Sequence, residues 1–549
     1  MFFIVARAPE FAAVQSDNGG IPPRGISQTK HGRQSRVGGR CRACLDSSVG
    51  APPHRPSDLR VFLLLFLFLN FLYLTTSSGR VRTIDEVIVD WEAESLVLHG
   101  STAVPQAVAM NSFYGKMDRD GKPQAPYGAA QAALVAPWYA LGRLVQAMAP
   151  GVPAPARDIA LDAVITSSSA TFAALAAALL FLILARAGIP AAAAAGTSLI
   201  VALGTPLFAY SSWFFSEPLA AAILLAAAFA IFSGDCSAPV PVERAATGGL
   251  LLGVALWVRP THVIAVPVFL LAILARERGR GIAPACAVAA VSGMFGAAYL
   301  FRNQVLFGNF FDFGYPATAE GGKHLNTFET PFITGLFGFL LSPGKSLFLF
   351  APPLLVALPG VVRLARRDRG LAVLAGVAPI GYLLFYARYT QWEGGYSFGP
   401  RYLLPAIPLA CLGLGAALAD GSRGVRRLAF VLAVAGFLVQ AVGMSTSFLE
   451  DQAKGGYYDA QWNYRMSYSP LVSQSRRLVH YLTSATPAPM GLGFDRWFVF
   501  LAKAGVARGT IAGVLLLECA GAFSTGWFLC AALRKSGAKD RAPGAMNGT

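Results

Sequence analysis

Residues 59–76 read LRVFLLLFLFLNFLYLTT, a mainly apolar run with a single basic residue near its start. A helix needs about 20 mostly apolar residues to cross the hydrocarbon core of a bilayer, and slightly fewer when flanking side chains reach the interface. This run is long enough for one crossing, and comparable runs recur along the chain from residue 164 to residue 533. The sequence therefore predicts an all-α polytopic membrane protein.

The composition of the whole chain agrees with this prediction. Of its 549 residues, 55% are hydrophobic and 13% are charged, with a mean hydropathy of +0.52. Soluble domains carry about 25% charged residues. The net charge of +16 lies largely in basic loops beside apolar runs, with no aromatic-interleaved basic motif. This pattern predicts contact with the anionic head groups of a lipid bilayer and no nucleic-acid partner.

We predict about twelve membrane spans, which share this length and apolar content. They are 59–76, 164–185, 192–210, 216–233, 246–258, 260–275, 283–301, 346–363, 371–387, 402–419, 428–448 and 509–533. The run 129–148 is interrupted by Gln131, Arg143 and Gln146, so we expect a helix lying on the outer membrane surface. Counting it as a span would turn most short basic loops outward, against the positive-inside bias.

This topology predicts an organisation and a location. The segments are a disordered basic extension (1–57), a transmembrane catalytic core (58–448), an extracytoplasmic loop (449–508), and a final helix with a cytoplasmic tail (509–549). Both termini are expected in the cytoplasm of a bacterium, with the chain in the inner membrane. Whether 1–57 is a genuine part of the protein stays open. The long segments 77–163, 302–345, 388–401 and 449–508 all fall outside, which places the chemistry on the outer face.

Acidic residues gather directly after the first span, in RVRTIDEVIVDWEAESLVLHG (80–100). They are Asp85, Glu86, Asp90, Glu92 and Glu94. The cluster is typical either of a solvated helix start, where acidic residues favour the first turn, or of a catalytic site. Asp85 is nearest to the apolar boundary, where desolvation is expected to raise its pKa towards that of a working general base.

Three further charged residues fall at predicted span ends. Glu217, in FFSEPLA, is either a helix N-terminal charge or a functional group. Arg259, between two spans, either reaches to the interface or holds a phosphate. Lys345 follows a Pro-Gly helix break in SPGKS. This is no nucleotide-binding loop, because Phe339 stands where that motif requires glycine.

A Gly- and aromatic-rich turn precedes the span that begins near Arg401. The turn contains Trp392, Glu393 and Tyr396. An arginine that enters a span from the outside runs against the positive-inside bias. It therefore favours a bound anion such as a lipid phosphate.

The order of these segments resembles the GT-C membrane glycosyltransferases. More narrowly, it resembles their bacterial phospholipid-carrier-dependent branch, which is related to protein O-mannosyltransferases and aminoarabinose transferases. The resemblance runs from about residue 59 to 420. It is carried by TIDE (83–86), AESLVLHGS (93–101), DRDGKPQAPYG (118–128), FFSEPLA (214–220), GLLLGVALWVRPT (249–261), LLSPGKSLFLFAPPLL (340–355) and WEGGYSFGPRYLLPAIP (392–408).

The resemblance implies a GT-C-like fold whose long first extracytoplasmic loop carries surface helices. It also implies inverting transfer of a sugar from a polyprenyl-phosphate donor to a lipid, protein or glycan acceptor. Asp85 matches the family's catalytic base, with Glu86 beside it. Pro126 stands where the family's loop often has lysine, so a phosphate contact from that loop stays open, with Lys122 as the alternative donor.

The remaining site residues follow from the chemistry. The departing phosphate needs cations, for which we choose Arg401, Lys345 and Arg259. The expected substrate pocket contains Glu217, Tyr127, Trp392, Glu393 and Tyr396. No metal is required, although Asp85 with Glu86 could hold a divalent cation.

Two alternatives stay open beside this hypothesis. A multi-span transporter or lipid flippase would need ionisable groups in mid-span and repeat-related broken helices. The charges singled out here lie instead at span ends. A non-catalytic, sugar-binding member of the same fold is the other alternative.

Overall fold

The computed structural model describes residues 56–109, 114–235, 238–315, 327–449, 460–484 and 493–541. Within these ranges the protein is almost entirely helical, with one two-stranded antiparallel hairpin. The predicted all-α class is confirmed. The extension predicted at 1–57 lies outside the described residues, apart from its last two.

The elements follow one another along the chain, with short 3-10 turns between some of them. They are α1 (Pro56–Thr76), α2 (Ile84–His99), α3 (Pro105–Ala109), β1 (Lys116–Met117), β2 (Pro123–Gln124), α4 (Ala130–Met148), α5 (Ala154–Arg186), α6 (Ala191–Gly204), α7 (Pro206–Tyr210), α8 (Glu217–Phe232), α9 (Val242–Val258), α10 (Ala265–Arg276), α11 (Ile282–Phe307), α12 (Phe332–Leu341), α13 (Leu347–Phe350), α14 (Leu354–Leu364), α15 (Arg369–Tyr386), α16 (Ile407–Ala410), α17 (Leu412–Asp420), α18 (Arg423–Ser445), α19 (Pro470–Thr483), α20 (Trp497–Lys503) and α21 (Arg508–Arg541).

Seven helices of the described ranges are individually long and apolar enough to cross a membrane. They are Ser57–Thr76, Ala154–Arg186, Ile282–Phe307, Arg369–Tyr386, Arg401–Asp420, Arg423–Ser445 and Arg508–Ser536. Each coincides with a predicted span. The other predicted spans fall on shorter helical segments: α6 with α7, α8, α9, Pro260–Arg276, and α13 with α14. The chain is thus a multi-pass membrane protein, and twelve crossings stay a prediction.

The packing of the helices distinguishes a protein-facing interior from a lipid-facing rim. Helix α5 lies mostly inside, in contact with α1, α4, α6 and α8. Helix α21 packs along α1 and leaves Leu517 and Phe523 at 73% and 75% exposure. Large apolar side chains left outward on a long helix suit a surface that meets lipid.

Two elements of the predicted outer segments frame the site. The surface run 129–148 forms α4, which packs against α2 and α5 and turns Leu144 and Met148 outward. An apolar outward face suits a helix lying in the membrane interface. The segment 302–345 was expected to be loop, but its apolar stretch Phe332–Leu341 forms α12.

Candidate active site

The guanidinium of Arg401 joins two carboxylates from distant parts of the chain. Its Nη2 donates to Asp85 Oδ2 at 2.6 Å and its Nε donates to Glu217 Oε1 at 2.7 Å. Its Nη1 reaches the carbonyl oxygen of Gly394 at 3.4 Å. Only 4% of each of the Arg401 and Glu217 side chains is exposed. The pairing of Arg401 with Glu217 is therefore a buried ion pair.

Asp85 is held by three side chains at once. Besides Arg401, the Nη2 of Arg259 donates to Asp85 Oδ2 at 3.3 Å, and the Tyr127 hydroxyl donates to Oδ1. Burial alone would raise the pKa of Asp85, but the two guanidiniums and the Tyr127 hydrogen bond outweigh it and hold that pKa below its usual range. The expected rise was wrong, because it considered only the apolar boundary beside α2.

Arg259 reaches this cluster because a proline ends α9. The residue before a proline is driven out of helical geometry, and Arg259 is extended, with φ −149° and ψ 131°. Its guanidinium carbon lies 4.9 Å from the centre of the Tyr127 ring. Gly128 permits this approach, since a Cβ there would lie 1.9 Å from the carbonyl oxygen of Trp257.

Lys345 binds the Gly-rich turn (392–400) that precedes Arg401. Its Nζ donates to both the carbonyl and the hydroxyl oxygen of Ser397, each at 2.9 Å. Burial lowers the pKa of Lys345, Glu393 opposes that shift, and Arg401 adds to it. Gly394, at φ +80°, adopts the left-handed geometry that turns its carbonyl towards Arg401. Lys345 thus steadies the turn beside Arg401, with no direct bond to Asp85.

The carboxylate of Glu86 binds backbone amides and, among the described residues, shares no hydrogen-bond donor with Asp85. Its Oε2 accepts from the amides of Arg82 and Thr83 at 2.9 and 2.8 Å, and its Oε1 accepts from that of Phe214 at 2.9 Å. The Thr83 hydroxyl accepts from the Glu86 amide, which completes a capping box at the start of α2. Glu86 therefore anchors α2 to the chain segment before Glu217.

The structure divides the predicted pocket residues into two groups. Tyr127 and Glu217 belong to the cluster. Trp392 is buried edge-on against Phe339, with ring centres 5.3 Å apart. Tyr396 packs at the edge of the main apolar core. A role for Trp392, Glu393 and Tyr396 in a pocket stays a prediction.

Two aromatic residues of the cluster, Phe215 and Tyr315, were not predicted from the sequence. The guanidinium carbon of Arg401 lies 4.1 Å from the centre of the Phe215 ring. Tyr315 meets Tyr127 edge to face at 6.0 Å and interacts electrostatically with Asp85. Tyr315 ends the run FDFGY, which resembles the turn before Arg401 in its glycine and aromatic content. That likeness was the available signal.

The described residues contain no group of three or more His, Cys, Asp or Glu side chains able to hold a metal ion. The carboxylates of Asp85 and Glu86 accept from separate sets of donors. This pair therefore does not fit the divalent-cation site considered from the sequence. Two guanidiniums beside Asp85 instead suit the binding of an anion.

Fold and site together define a helical multi-pass membrane protein with a buried arginine–carboxylate cluster. No family model and no curated protein sequence matches the chain. Among solved structures, ArnT from Cupriavidus metallidurans in the apo state has 17% identity and a TM-score of 0.44, covering 86% of this chain and 76% of that chain. The same protein bound to undecaprenyl phosphate has 16% identity and a TM-score of 0.45, with the same coverage.

Proposed function

We propose that this chain is a GT-C-type glycosyltransferase of the bacterial inner membrane. It moves a sugar from a polyprenyl-phosphate donor to an acceptor hydroxyl at the extracytoplasmic face. The observation that carries the proposal is the shared hold of Arg401 and Arg259 on Asp85. Guanidiniums bind phosphate with directed, charge-assisted hydrogen bonds, and a carboxylate beside them is placed to take a proton.

In the absence of substrate, Asp85 itself serves as the anion for both guanidiniums. A lipid phosphate competes for the same donors. When it takes them over, Asp85 loses two of the three contacts that lower its pKa and keeps the hydrogen bond from Tyr127, so the pKa rises towards its ordinary value. Donor binding thus converts Asp85 from a charge partner into a stronger base.

The reaction is a single displacement. The acceptor oxygen attacks the anomeric carbon while the bond from that carbon to the phosphate oxygen breaks, which inverts the anomeric centre. Asp85 accepts the acceptor's proton. The electron pair of the broken bond stays on the lipid phosphate, whose charge Arg401 and Arg259 stabilise.

The other residues hold these groups in place. Glu217 and the face of Phe215 fix the Arg401 guanidinium, and Tyr127 orients Asp85. Lys345 steadies the turn on which Arg401 depends, through its two hydrogen bonds to Ser397. Glu86 acts as a positioning residue for α2.

The test is a transfer assay with the purified full-length protein in detergent. Radiolabelled polyprenyl-phosphate sugars are supplied one at a time with a membrane extract as acceptor. We expect one donor to be consumed, and both Asp85→Asn and Asp85→Ala to slow its consumption by about 10²-fold or more. Asp120→Asn is the matched control, because Asp120 is an exposed acid in the same predicted outer segment.

Two results would overturn the proposal. One is consumption of no donor by folded protein, and transport of a donor without consumption would then favour the flippase alternative. The other is undiminished consumption by both Asp85 variants, which would exclude Asp85 as the base.

A further inference from the structure

A second polar cluster lies along α2 from Asp85. Glu92 follows Asp85 by seven residues, which places it two helical turns and about 10 Å further along the same face. Glu92 is fully buried, and neither of its carboxylate oxygens has a hydrogen-bond partner among the described residues. Burying such a group without a partner is costly, so the native state is expected to supply one.

Two residues of α11, Tyr299 and Arg302, lie within electrostatic range of Glu92 and also carry polar groups without hydrogen-bond partners among the described residues. The hydroxyl of Tyr299 and both terminal nitrogens of Arg302 are buried and lack hydrogen-bond partners among the described residues. Arg302 interacts electrostatically with Glu92, and its guanidinium carbon lies 5.8 Å from the Tyr299 ring centre. Arg302 and Glu92 do not hydrogen-bond to each other, so each retains capacity for a third group.

The protonation state of Glu92 indicates which chemical group the cluster can bind. Burial raises the pKa of Glu92 to about 8, which Arg302 opposes only in part. The carboxyl is therefore protonated near neutral pH and both donates and accepts. A carboxyl, a phenol and a guanidinium with open donors together complement hydroxyl groups, which also donate and accept.

Aromatic rings connect this cluster to Asp85. Tyr299 meets Trp257 edge to face at 5.3 Å and packs against Phe313 at 6.0 Å. Tyr315 interacts electrostatically with Tyr299 and lies 6.0 Å from Tyr127, which binds Asp85. Aromatic walls with a few convergent polar groups are typical of small-molecule sites.

We propose that Glu92, Tyr299 and Arg302 form a subsite for the hydroxyl groups of the transferred sugar. This proposal rests on the proposed function, which places the anomeric carbon beside Asp85. The distal hydroxyls of the sugar then extend along α2 towards Glu92. The Asp85 cluster handles the phosphate, and this subsite selects the sugar.

Equilibrium binding to the full-length protein in detergent tests the subsite. The ligands are undecaprenyl phosphate alone and the same lipid carrying glucose, mannose, galactose or arabinose. We expect the wild-type protein to bind at least one sugar-bearing lipid roughly tenfold more tightly than the bare lipid. Glu92→Leu and Tyr299→Phe should reduce or remove this preference, with unchanged affinity for the bare lipid.

Two further variants separate hydroxyl recognition from a structural role. Glu92→Gln should keep most of the preference, because an amide still donates and accepts. Glu94→Leu is the matched control on α2. Glu94 already has a protein partner, since it accepts from Gln106 Nε2 at 2.9 Å, so this variant should keep the preference fully. Thermal unfolding verifies that every variant is folded.

The possible failures are distinguishable. Equal binding of the bare and all sugar-bearing lipids by the wild-type protein would overturn the subsite and leave the phosphate site standing. Retained preference in both Glu92→Leu and Tyr299→Phe would do the same. Failure of folded protein to bind even the bare lipid would overturn the proposed function, and the subsite with it.

Discussion

Arg401 and Asp85 show how far single residues can be interpreted from sequence. Each was selected on its own evidence, Arg401 as an arginine entering a span from outside and Asp85 by its place after the first span. Their contact joins residues 316 positions apart. No local pattern encodes it, because it depends on how α2, α8 and the Gly-rich turn pack. The lowered pKa of Asp85 was missed for the same reason.

The substitution Arg401→Lys tests the bridge that the Arg401 guanidinium forms between Asp85 and Glu217. A lysine cannot reproduce the planar fork that reaches Asp85 and Glu217 together. Leaving a buried carboxylate without its partner typically costs about 3 kcal/mol or more, so we expect a clear fall in the free energy of unfolding in detergent. The double variant Arg401→Met with Glu217→Gln should lose less than the sum of the single variants. Strict additivity would contradict the bridge.

At the scale of elements, the start of α2 was predictable and its anchoring was not. The TIDE motif supplies both partners of a capping box, Thr83 and Glu86. Both lie within four consecutive residues, so the cap can be predicted from local sequence. The bond from the Phe214 amide to Glu86 comes from a distant segment. Glu86 was therefore interpreted as a neighbour of the base, although its carboxylate binds backbone.

The variant Glu86→Gln should weaken this anchor. An amide nitrogen would face backbone N–H donors where a carboxylate oxygen now accepts, at a cost of about 1–3 kcal/mol. We expect a lower unfolding temperature and slower transfer. Thr83→Ser keeps the cap hydroxyl and serves as control. Unchanged stability in Glu86→Gln would contradict the anchoring role.

The close approach of Gly128 to α9 makes a second prediction at this scale. In Gly128→Ala the new methyl group would collide with the Trp257 carbonyl, so the loop must move and take Tyr127 away from Arg259 and Asp85. We expect reduced transfer that persists at saturating donor. Gly121→Ala is the control, because a Cβ there meets nothing within 4 Å, although its φ of +75° adds some strain. Equal activity of Gly128→Ala and wild-type protein would refute the contact.

At the scale of the whole molecule, apolar length was the most reliable predictor. Every predicted span falls mainly on helix in the structure, because length and hydropathy are local properties of the sequence. The cluster of Glu92, Tyr299 and Arg302 was not predicted, because the role of Glu92 depends on its two neighbours on α11, which are distant in sequence. Charges within one loop could be found from sequence, and their partners on other helices could not.

Buried acids should also make the stability of the protein depend on pH. Burial raises the pKa of both Asp90 and Glu92 to about 8, with Asp162 and Glu94 adding to the shift of Asp90. The unfolded chain binds these protons only below about pH 4 to 5. Their stabilising contribution is therefore complete below that range and is lost as pH rises towards 8. Asp85, whose pKa is lowered, has the opposite sign and contributes above about pH 4.

We accordingly expect the unfolding temperature in detergent to fall as the pH rises from about 5 to about 8 and to level off above it. The isosteric variants Asp90→Asn and Glu92→Gln should flatten this dependence, because neither can lose a proton. An unaltered pH profile in the double variant would show that these two acids are not the source.

The affinity of the protein for undecaprenyl phosphate shows whether the lipid phosphate displaces Asp85 from Arg401 and Arg259. If Asp85 and the lipid phosphate compete for Arg401 and Arg259, then Asp85→Asn should bind the bare lipid about tenfold more tightly while losing transfer. Arg259→Gln should bind it more weakly. Unchanged or weaker binding by a folded Asp85→Asn variant would contradict the exchange of carboxylate for phosphate at the two arginines.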